Sequence, residues 1–484
     1  MRIKSIVIFL ALIVLISGSG MFSAQLEEYY VDKTDIDFWP SFHHDPQNTR
    51  YTTSAAPQTN SKIWSYTTGG DVESSPAVLD NKVYIGSSDN KVYCLNATSG
   101  DKIWSYTTGG CVLSSPVFNN NKVYLGSYDN KVYCLDADDG AEIWAFSTDH
   151  DVYSSPVIVN DKVYVGSRDD FVYCLDADDG TEIWSYKTGS GIDSSPAVAN
   201  GKVYIGSNHD DTVYCLDADD GTEIWTYATG SDVHASPAVA NGKVYIGSWD
   251  FKMYCLDADD GTEIWTYDSG DRIYSTAAIA DGKVYFGSWN LKVYCLDADD
   301  GSEIWTHPTG PTESSPAITD NKLYIADNED KIYCLDISDG SEEWSYTADD
   351  DISSSPAIAD GKVYIGSNDG KVYCFGDQGE EIHLEVEIKP RLNLFRLFVK
   401  ITNTENNECN NVDWTITATP RIGKASASCE DTLLSIPAET TKTVTCKPDG
   451  FFGFVDITAE AKVQSYTFSD TRKALVVGPI IYVL

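Results

Sequence analysis

Basic side chains are scarce in this chain: 34 Lys and Arg stand against 74 Asp and Glu, a formal net charge of −40 over 484 residues. The deficit is local, because residues 381–484 carry 11 basic and 13 acidic side chains, which leaves −38 in the first 380. Such a surface repels phosphate backbones and anionic headgroups; it excludes nucleic-acid binding and a polybasic membrane contact, and leaves cationic partners, metal ions among them. Acidic loops also serve plain solubility. No stretch carries a helical hydrophobic period. Beyond residue 24 no run of 18 apolar residues is long enough for a membrane-spanning helix.

The first 24 residues are the exception. Arg2 and Lys4 precede an apolar run at 6–16 and a small-residue stretch at 17–24, the layout of a secretory signal. Cleavage after Ala24 is the first expectation. Retention as a signal anchor is the second, because Phe22 stands where a small residue is preferred. Either way the chain is expected to be exported, extracellular or at the cell surface, with membrane contact only through an uncleaved N-terminal segment.

What the chain has in abundance is repetition. Trp64, Trp104, Trp144, Trp184, Trp225, Trp265, Trp305 and Trp344 recur every 39 to 41 residues. Cys94, Cys134, Cys174, Cys215, Cys255, Cys295, Cys334 and Cys374 keep the same beat, each after a tyrosine. A period near 40 signals a propeller or solenoid. Each unit reads as four short strands, for example 152–159, 162–166, 171–175 and 182–186, with alternating Val, Ile and Tyr separated by Asn, Asp and Gly turns. A four-stranded unit cannot bury both faces alone, so the units are expected to stack radially and close into an eight-bladed ring. The ends predict how. Lys62–Thr67 reads as a fourth strand with no three before it, and the last three-strand set, 352–375, lacks a good fourth. Ile63 and Trp64 are therefore expected to complete the blade begun at Ile352, removing two exposed sheet edges.

The units resemble pyrroloquinoline-quinone-like repeats, on the run Leu135-Asp136-Ala137-Asp138-Asp139-Gly140-Ala141-Glu142-Ile143-Trp144 and its seven counterparts over roughly residues 61–378. The lead-in at 25–60, with Trp39-Pro40-Ser41-Phe42-His43-His44, is similar to segments that precede such propellers in microbial exported proteins. The resemblance implies that the eight tryptophans dock between neighbouring blades. It also implies two functional branches, quinone-dependent alcohol dehydrogenases and non-enzymatic propellers such as the outer-membrane assembly lipoprotein. The dehydrogenase branch requires a vicinal Cys-Cys disulfide, a calcium and a catalytic aspartate. No Cys-Cys pair occurs here, and the repeats lack the long insertions that build an enzyme pocket. No enzyme activity and no quinone cofactor are therefore expected.

Residues with chemical potential were weighed against plain structural roles. The eight blade cysteines occupy equivalent strand positions, too far apart to bridge, and read as small buried hydrophobes. Cys111 reads as a free thiol. Five Asp-Ala-Asp-Asp-Gly turns look like half of a calcium loop but read better as tight Asx turns, with weak surface calcium binding as the alternative. Repeat positions that differ are more telling, because the scaffold does not dictate them. The D-to-A and B-to-C loops of a propeller share one face. Before the Ser-Ser-Pro unit stand Glu73, Leu113, Tyr153, Asp193, His234, Tyr274, Glu313 and Ser353, and the B-to-C loops offer Tyr128, Arg168, His209, Trp249, Trp289 and Asn328. Glu73, Tyr128, Tyr153, Arg168, Asp193, His234, Trp249, Tyr274, Trp289 and Glu313 are taken as the ligand or partner face, with Trp249 and Trp289 either exposed aromatics rimmed by polar groups or packed on each other or under a loop.

From about residue 380 the period ends, and strand-like runs at 392–404, 414–419, 441–445 and 454–459 follow an immunoglobulin-like sandwich pattern. Cys429 and Cys446 flank candidate adjacent strands and are the disulfide candidates of an exported chain. The functional expectation is an extracytoplasmic platform binding a protein, peptide or glycan. A quinone-dependent dehydrogenase with a degenerate site and an ion-dependent cell-surface adhesin are the alternatives.

Overall fold

The computed structural model describes side chains for residues 39–41, 44–319 and 321–377, and the backbone of the strands between 384 and 483. The expected export signal at 1–24 lies outside the described residues. Eight four-stranded antiparallel sheets form the propeller, with no helix among the described residues. In chain order, blades 1 to 8 cover 77–107, 117–147, 157–187, 197–228, 238–268, 278–308, 317–347 and 357–376, each from an innermost strand A to an outermost strand D. Lys62–Thr67 is strand D of blade 8, with Trp64 opposite Cys374. The ring thus closes with a segment from the far end of the chain.

Strand A is shorter than the residue pattern suggests. In blade 3 the ladder covers only Val157–Val159 rather than 152–159. The reason is the Ser-Ser-Pro unit, where the chain turns along the axis and its amides point sideways. Pro156 has no N–H to pair. Ser154 Oγ accepts from the Gly166 amide of strand B at 3.1 Å. The Ser155 amide donates to Ser195 Oγ of the next blade at 2.9 Å. The same link runs from Ser75 through Ser115, Ser155 and Ser195 to Ser236, and from Thr276 through Ser315 and Ser355 back to Ser75. A ring of hydroxyls around the axis satisfies amides that no sheet could reach.

Strand C is the core of each blade. Its Val-Tyr-Cys-Leu run is buried on both faces, and the eight blade cysteines are fully buried and unpaired. Burial pushes each of these thiols up to about 12, so the reactive thiolate is absent near neutral pH. Half-buried Cys111 sits in a loop and donates only to the Ser88 carbonyl at 3.3 Å. Iodoacetamide at neutral pH is expected to alkylate Cys111 and to spare the other eight propeller cysteines until the protein is denatured. Peptide mass spectrometry reads this, and labelling of any strand-C cysteine at the rate of Cys111 would contradict the packing.

Strand D is exposed except at tryptophan, and that residue joins the blades. Trp104 of blade 1 donates its indole N–H to the Ala137 carbonyl of blade 2 at 3.1 Å. Tyr84 and Lys82 of blade 1 donate to the same carbonyl at 3.3 and 3.0 Å. The indole lies flat on Gly140, whose φ of 75° and lack of a side chain are both required, since a Cβ there would fall 2.6 Å from the ring. Asp136 shapes that turn by accepting the Asp138 and Asp139 amides at 2.8 and 3.3 Å. Its carboxylate is therefore engaged by its own backbone, as an Asx turn requires.

The pattern departs furthest at the seam. Blade 8 has no Asp-Ala-Asp-Asp-Gly turn, and the lead-in substitutes for it. The Pro57 carbonyl accepts Lys322 and Tyr324 at 3.1 and 3.0 Å, and Asp377 accepts the Gln58 and Thr59 amides at 2.8 and 3.0 Å. The indole N–H of Trp344 is left buried without a partner there.

Residues 39–41 and 44–52 do what nothing in their sequence announced. They circle the axis and pair with the free inner edges of the A strands. Trp39 exchanges two backbone hydrogen bonds with Val78, at 2.8 and 2.6 Å. The amides of Phe118, Val198, Val239, Ile279 and Ile318 then donate in turn to the carbonyls of Pro40, Pro46, Gln47, Thr49 and Arg50. Trp39, Asn48 and Arg50 are fully buried. Asn48 Nδ2 bridges the carbonyls of Pro196 and Pro237 at 3.2 and 2.8 Å. The Arg50 guanidinium donates to the carbonyls of Pro316, Ser315 and Pro356. The described lead-in residues thus pair with the inner edges of six of the eight sheets and lie across one end of the central channel.

Beyond the propeller, strands Leu384–Ile388, Leu397–Asn403 and Thr441–Cys446 form a three-stranded sheet in the order first, second, third. Five further strands form a second sheet, in which Cys409–Pro420 lies between Ala427–Ile436 and Phe451–Val463. Cys429 and Cys446 stand on strands that are consecutive in the chain and belong to different sheets. Their side chains, and hence the proposed disulfide, lie outside the described residues.

Candidate functional site

Opposite the lead-in, the channel opens as a cavity of about 280 Å³ on the face of the D-to-A and B-to-C loops. Its floor is the ring of hydroxyls from Ser75 to Ser355, and its wall is built by the residue two places before each of them. Because every blade enters its strand A in the same register, eight residues scattered over 281 positions converge there: Glu73, Leu113, Tyr153, Asp193, His234, Tyr274, Glu313 and Ser353. Arg168 joins them from the B-to-C loop of blade 3. Such loops are held by backbone bonds to the adjacent D-to-A loop, as from the Arg168 amide to Asp151 at 3.0 Å and from Trp249 to Asp232 at 2.9 Å.

The wall is divided by charge. On one side Arg168 grips Asp193 through two hydrogen bonds of 2.6 and 3.0 Å, and His234 Nδ1 lies 3.3 Å from the same carboxylate. Burial alone would raise the Asp193 pKa, but hydrogen bonds from His234 and Arg168 hold it down at about 2. The same pairing raises the Arg168 pKa. The guanidinium is further flanked by the rings of Tyr128 and Tyr153, each 5.2 Å away.

On the other side, Glu73 and Glu313 flank Ser353. Burial raises the pKa of Glu73, and the nearby charges of Asp71 and Glu313 add to it. Burial likewise raises the Glu313 pKa, with Asp351 adding to the effect and a hydrogen bond from Asn328 opposing it. Neither carboxylate has a cation within ion-pair distance among the described residues. Burial also raises the Tyr153 pKa, helped by Glu73, Asp193 and Glu313.

Tyr128, Trp249 and Trp289 stand behind the cavity wall, not in it. The two tryptophans are half-buried rather than exposed, because they stack on one another's neighbours. His234 and Trp249 stack at 4.2 Å, Trp249 and Tyr274 lie 5.0 Å apart, and Tyr274 and Trp289 lie 5.2 Å apart. Arg272 covers the Trp249 ring at 4.4 Å. Arg272 was not singled out from the sequence, although a signal existed: four other blades carry Asp at its position, Asp71, Asp151, Asp232 and Asp351. The exposed apolar groups of this face are instead Phe251 and Leu291, at 42% and 48%.

For metal binding, Asp330, Asp350 and Asp351 place carboxylate oxygens within 4.8 Å of one another on the same face. Three oxygens fall short of the six to eight that calcium takes.

The fold and this cavity set the terms for comparison with known proteins. Solved structures share the propeller at low identity, which speaks to fold alone. BamB from Moraxella catarrhalis matches with a TM-score of 0.57 and 18% identity, over 65% of this chain and 99% of that one. The quinohemoprotein alcohol dehydrogenase from Comamonas testosteroni matches with a TM-score of 0.62 and 15% identity, over 74% and 83%. A computationally designed protein, Ika8, matches with a TM-score of 0.59 and 18% identity, over 65% and 99%. No curated protein matches the sequence. The family model described as the β-propeller of the β-alanine-activating enzyme matches residues 51–241 and 175–470. With its eight repeats in that register, the chain belongs to this family of β-propellers.

Proposed function

We propose that the chain is an extracytoplasmic binding or scaffold protein, not an enzyme, whose D-to-A and B-to-C face receives a protein, peptide or glycan. The observation that carries this reading is the pair Phe251 and Leu291. They occupy the left-handed turn position at φ 77° and 70°, where other blades use Asn90, Asn130 or Asp170. A bulky L-residue there costs about 1–2 kcal/mol, and exposure of its apolar surface adds to the cost. Contact with a partner would offset both, and the half-buried Trp249 and Trp289 give that contact a rigid backing.

The cavity suits a quinone poorly. About 280 Å³ is small for a fused-ring cofactor, Glu73 and Glu313 repel an anionic quinone, and Arg168 is already committed to Asp193. The turn carboxylates are engaged by backbone amides, which argues against calcium at the repeats. Likeness in fold extends equally to BamB and to dehydrogenases, so the choice rests on these residues. Export is inferred from residues 1–24, and the C-terminal strands are read as an immunoglobulin-like sandwich that contributes spacing or surface attachment.

The test is partner recovery from the native envelope fraction with Phe251→Asn and Leu291→Asn combined. Relief of the turn strain is expected to raise the thermal midpoint while recovery falls; Trp249→Ala with Trp289→Ala is expected to lower recovery as well. Recovery unchanged by both pairs would remove the proposed face. A stoichiometric chromophore and dye-linked activity on addition of quinone and calcium would overturn the non-enzymatic reading.

A further inference from the structure

Resting on that reading of the face, we infer that the axial cavity binds a primary alkylammonium group, with Glu73 and Glu313 as its counter-ions. The argument begins with charge. Asp193 is neutralised by Arg168 through hydrogen bonds of 2.6 and 3.0 Å, whereas Glu73 and Glu313 have no cation within ion-pair distance among the described residues, His234 reaching Glu313 only at longer range. Both are half-buried in the cavity wall and lie close enough for each to disfavour the other's charge. A buried carboxylate without a counter-ion is costly, and a guest cation removes that cost for two at once.

The shape of the site narrows the cation. A cavity of about 280 Å³ stands at the lower end of the usual range for small-molecule sites, which suits a group of side-chain size. An ammonium is a compact point charge with three donors. Two carboxylates and the hydroxyl of Ser353 between them offer it three acceptors on neighbouring blades. Leu113 beside Glu73 and Tyr274 beside Glu313 supply apolar and aromatic surface for the alkyl stem. The channel is closed beneath by the lead-in, so the guest enters only from the partner face and its charged end is held away from bulk water.

The shared chemistry has two sources, a lysine side chain on a docked protein and a free small amine. Calorimetry on the full chain with Nα-acetyl-lysine-N-methylamide and with 1,5-diaminopentane separates them, and the Nε-acetylated lysine amide is the neutral control. Binding with a Kd on the order of a millimolar is expected for the charged probes and none for the control. A preference for the lysine amide would assign the guest to a polypeptide, and a preference for the diamine to a free amine. Glu73→Gln with Glu313→Gln is expected to weaken binding by about tenfold or more without lowering the thermal midpoint, which shows that the variant is folded. Equal binding of the acetylated control, no binding of either amine, or unchanged affinity in the double variant would overturn the inference. Partner recovery lost in the Phe251/Leu291 variant with amine binding intact would keep the two conclusions apart, as would the converse.

Discussion

Arg50→Ala is expected to lower the stability of the propeller by about 3–5 kcal/mol, the range for removing one member of a buried charged network. The side chain is fully buried, far from any surface on which a charge is cheap. Burial lowers its pKa to about 9 even with Asp45 nearby to raise it, so at neutral pH the guanidinium is charged and each buried carbonyl it reaches receives a charge-assisted hydrogen bond. It donates to carbonyls of Ser315 and Pro316 on the approach to blade 7 and of Pro356 on the approach to blade 8. Alanine would leave these acceptors facing a void. Arg50→Lys is expected to recover little of the loss, since an ammonium lacks the planar fork that reaches two blades together. Denaturant unfolding measures the total. Hydrogen exchange at the Val239, Ile279 and Ile318 amides, which donate to the lead-in, separates release of that segment from global unfolding. A midpoint within about 0.5 kcal/mol of the parent, with those amides still protected, would mean that the lead-in does not brace the ring.

Trp144→Ala is expected to cost a similar amount, about 3–5 kcal/mol, for a different reason. The indole of blade 2 is held between blades 2 and 3 against the turn at Gly180, and donates to the Ala177 carbonyl at 3.3 Å. Gly180→Ala tests the same contact from the other side. Its Cβ would sit 2.6 Å from the Trp144 ring at a φ of 72°, so steric overlap adds to the left-handed strain of about 1–2 kcal/mol. Trp344→Ala is the internal control. Its indole N–H already lacks an acceptor, so its loss is expected to be smaller by about 1 kcal/mol, one hydrogen bond. Urea unfolding of the three variants gives the ranking, and an equal cost at Trp144 and Trp344 would contradict the part assigned to the Ala177 carbonyl.

These expectations show where the residue pattern was informative. The tryptophan beat, the Asx turns and the unmatched ends at Lys62–Thr67 and 352–375 all led to a ring closed by a borrowed strand, and that is the architecture found. The convergence of Glu73, Tyr153, Asp193, His234, Tyr274 and Glu313 was legible for the same reason: a constant register puts equivalent residues at one height around the axis. Exposure was not. Trp249 and Trp289 looked like isolated surface aromatics because stacking through Tyr274 and Arg272 joins neighbouring blades, and such neighbours lie about 40 positions apart in the chain.

Periodicity by itself determined the class of fold, the number of blades and the way the circle closes, since each follows from local strand propensity and from counting units. The tertiary structure alone decided that residues 39–41 and 44–52 cap the axis and that two of the wall carboxylates have no cation within ion-pair distance among the described residues. Both depend on contacts that only the closed ring brings together: inner strand edges of six blades for one irregular segment to meet, and a balance of charge around a circle whose members are dispersed along the chain.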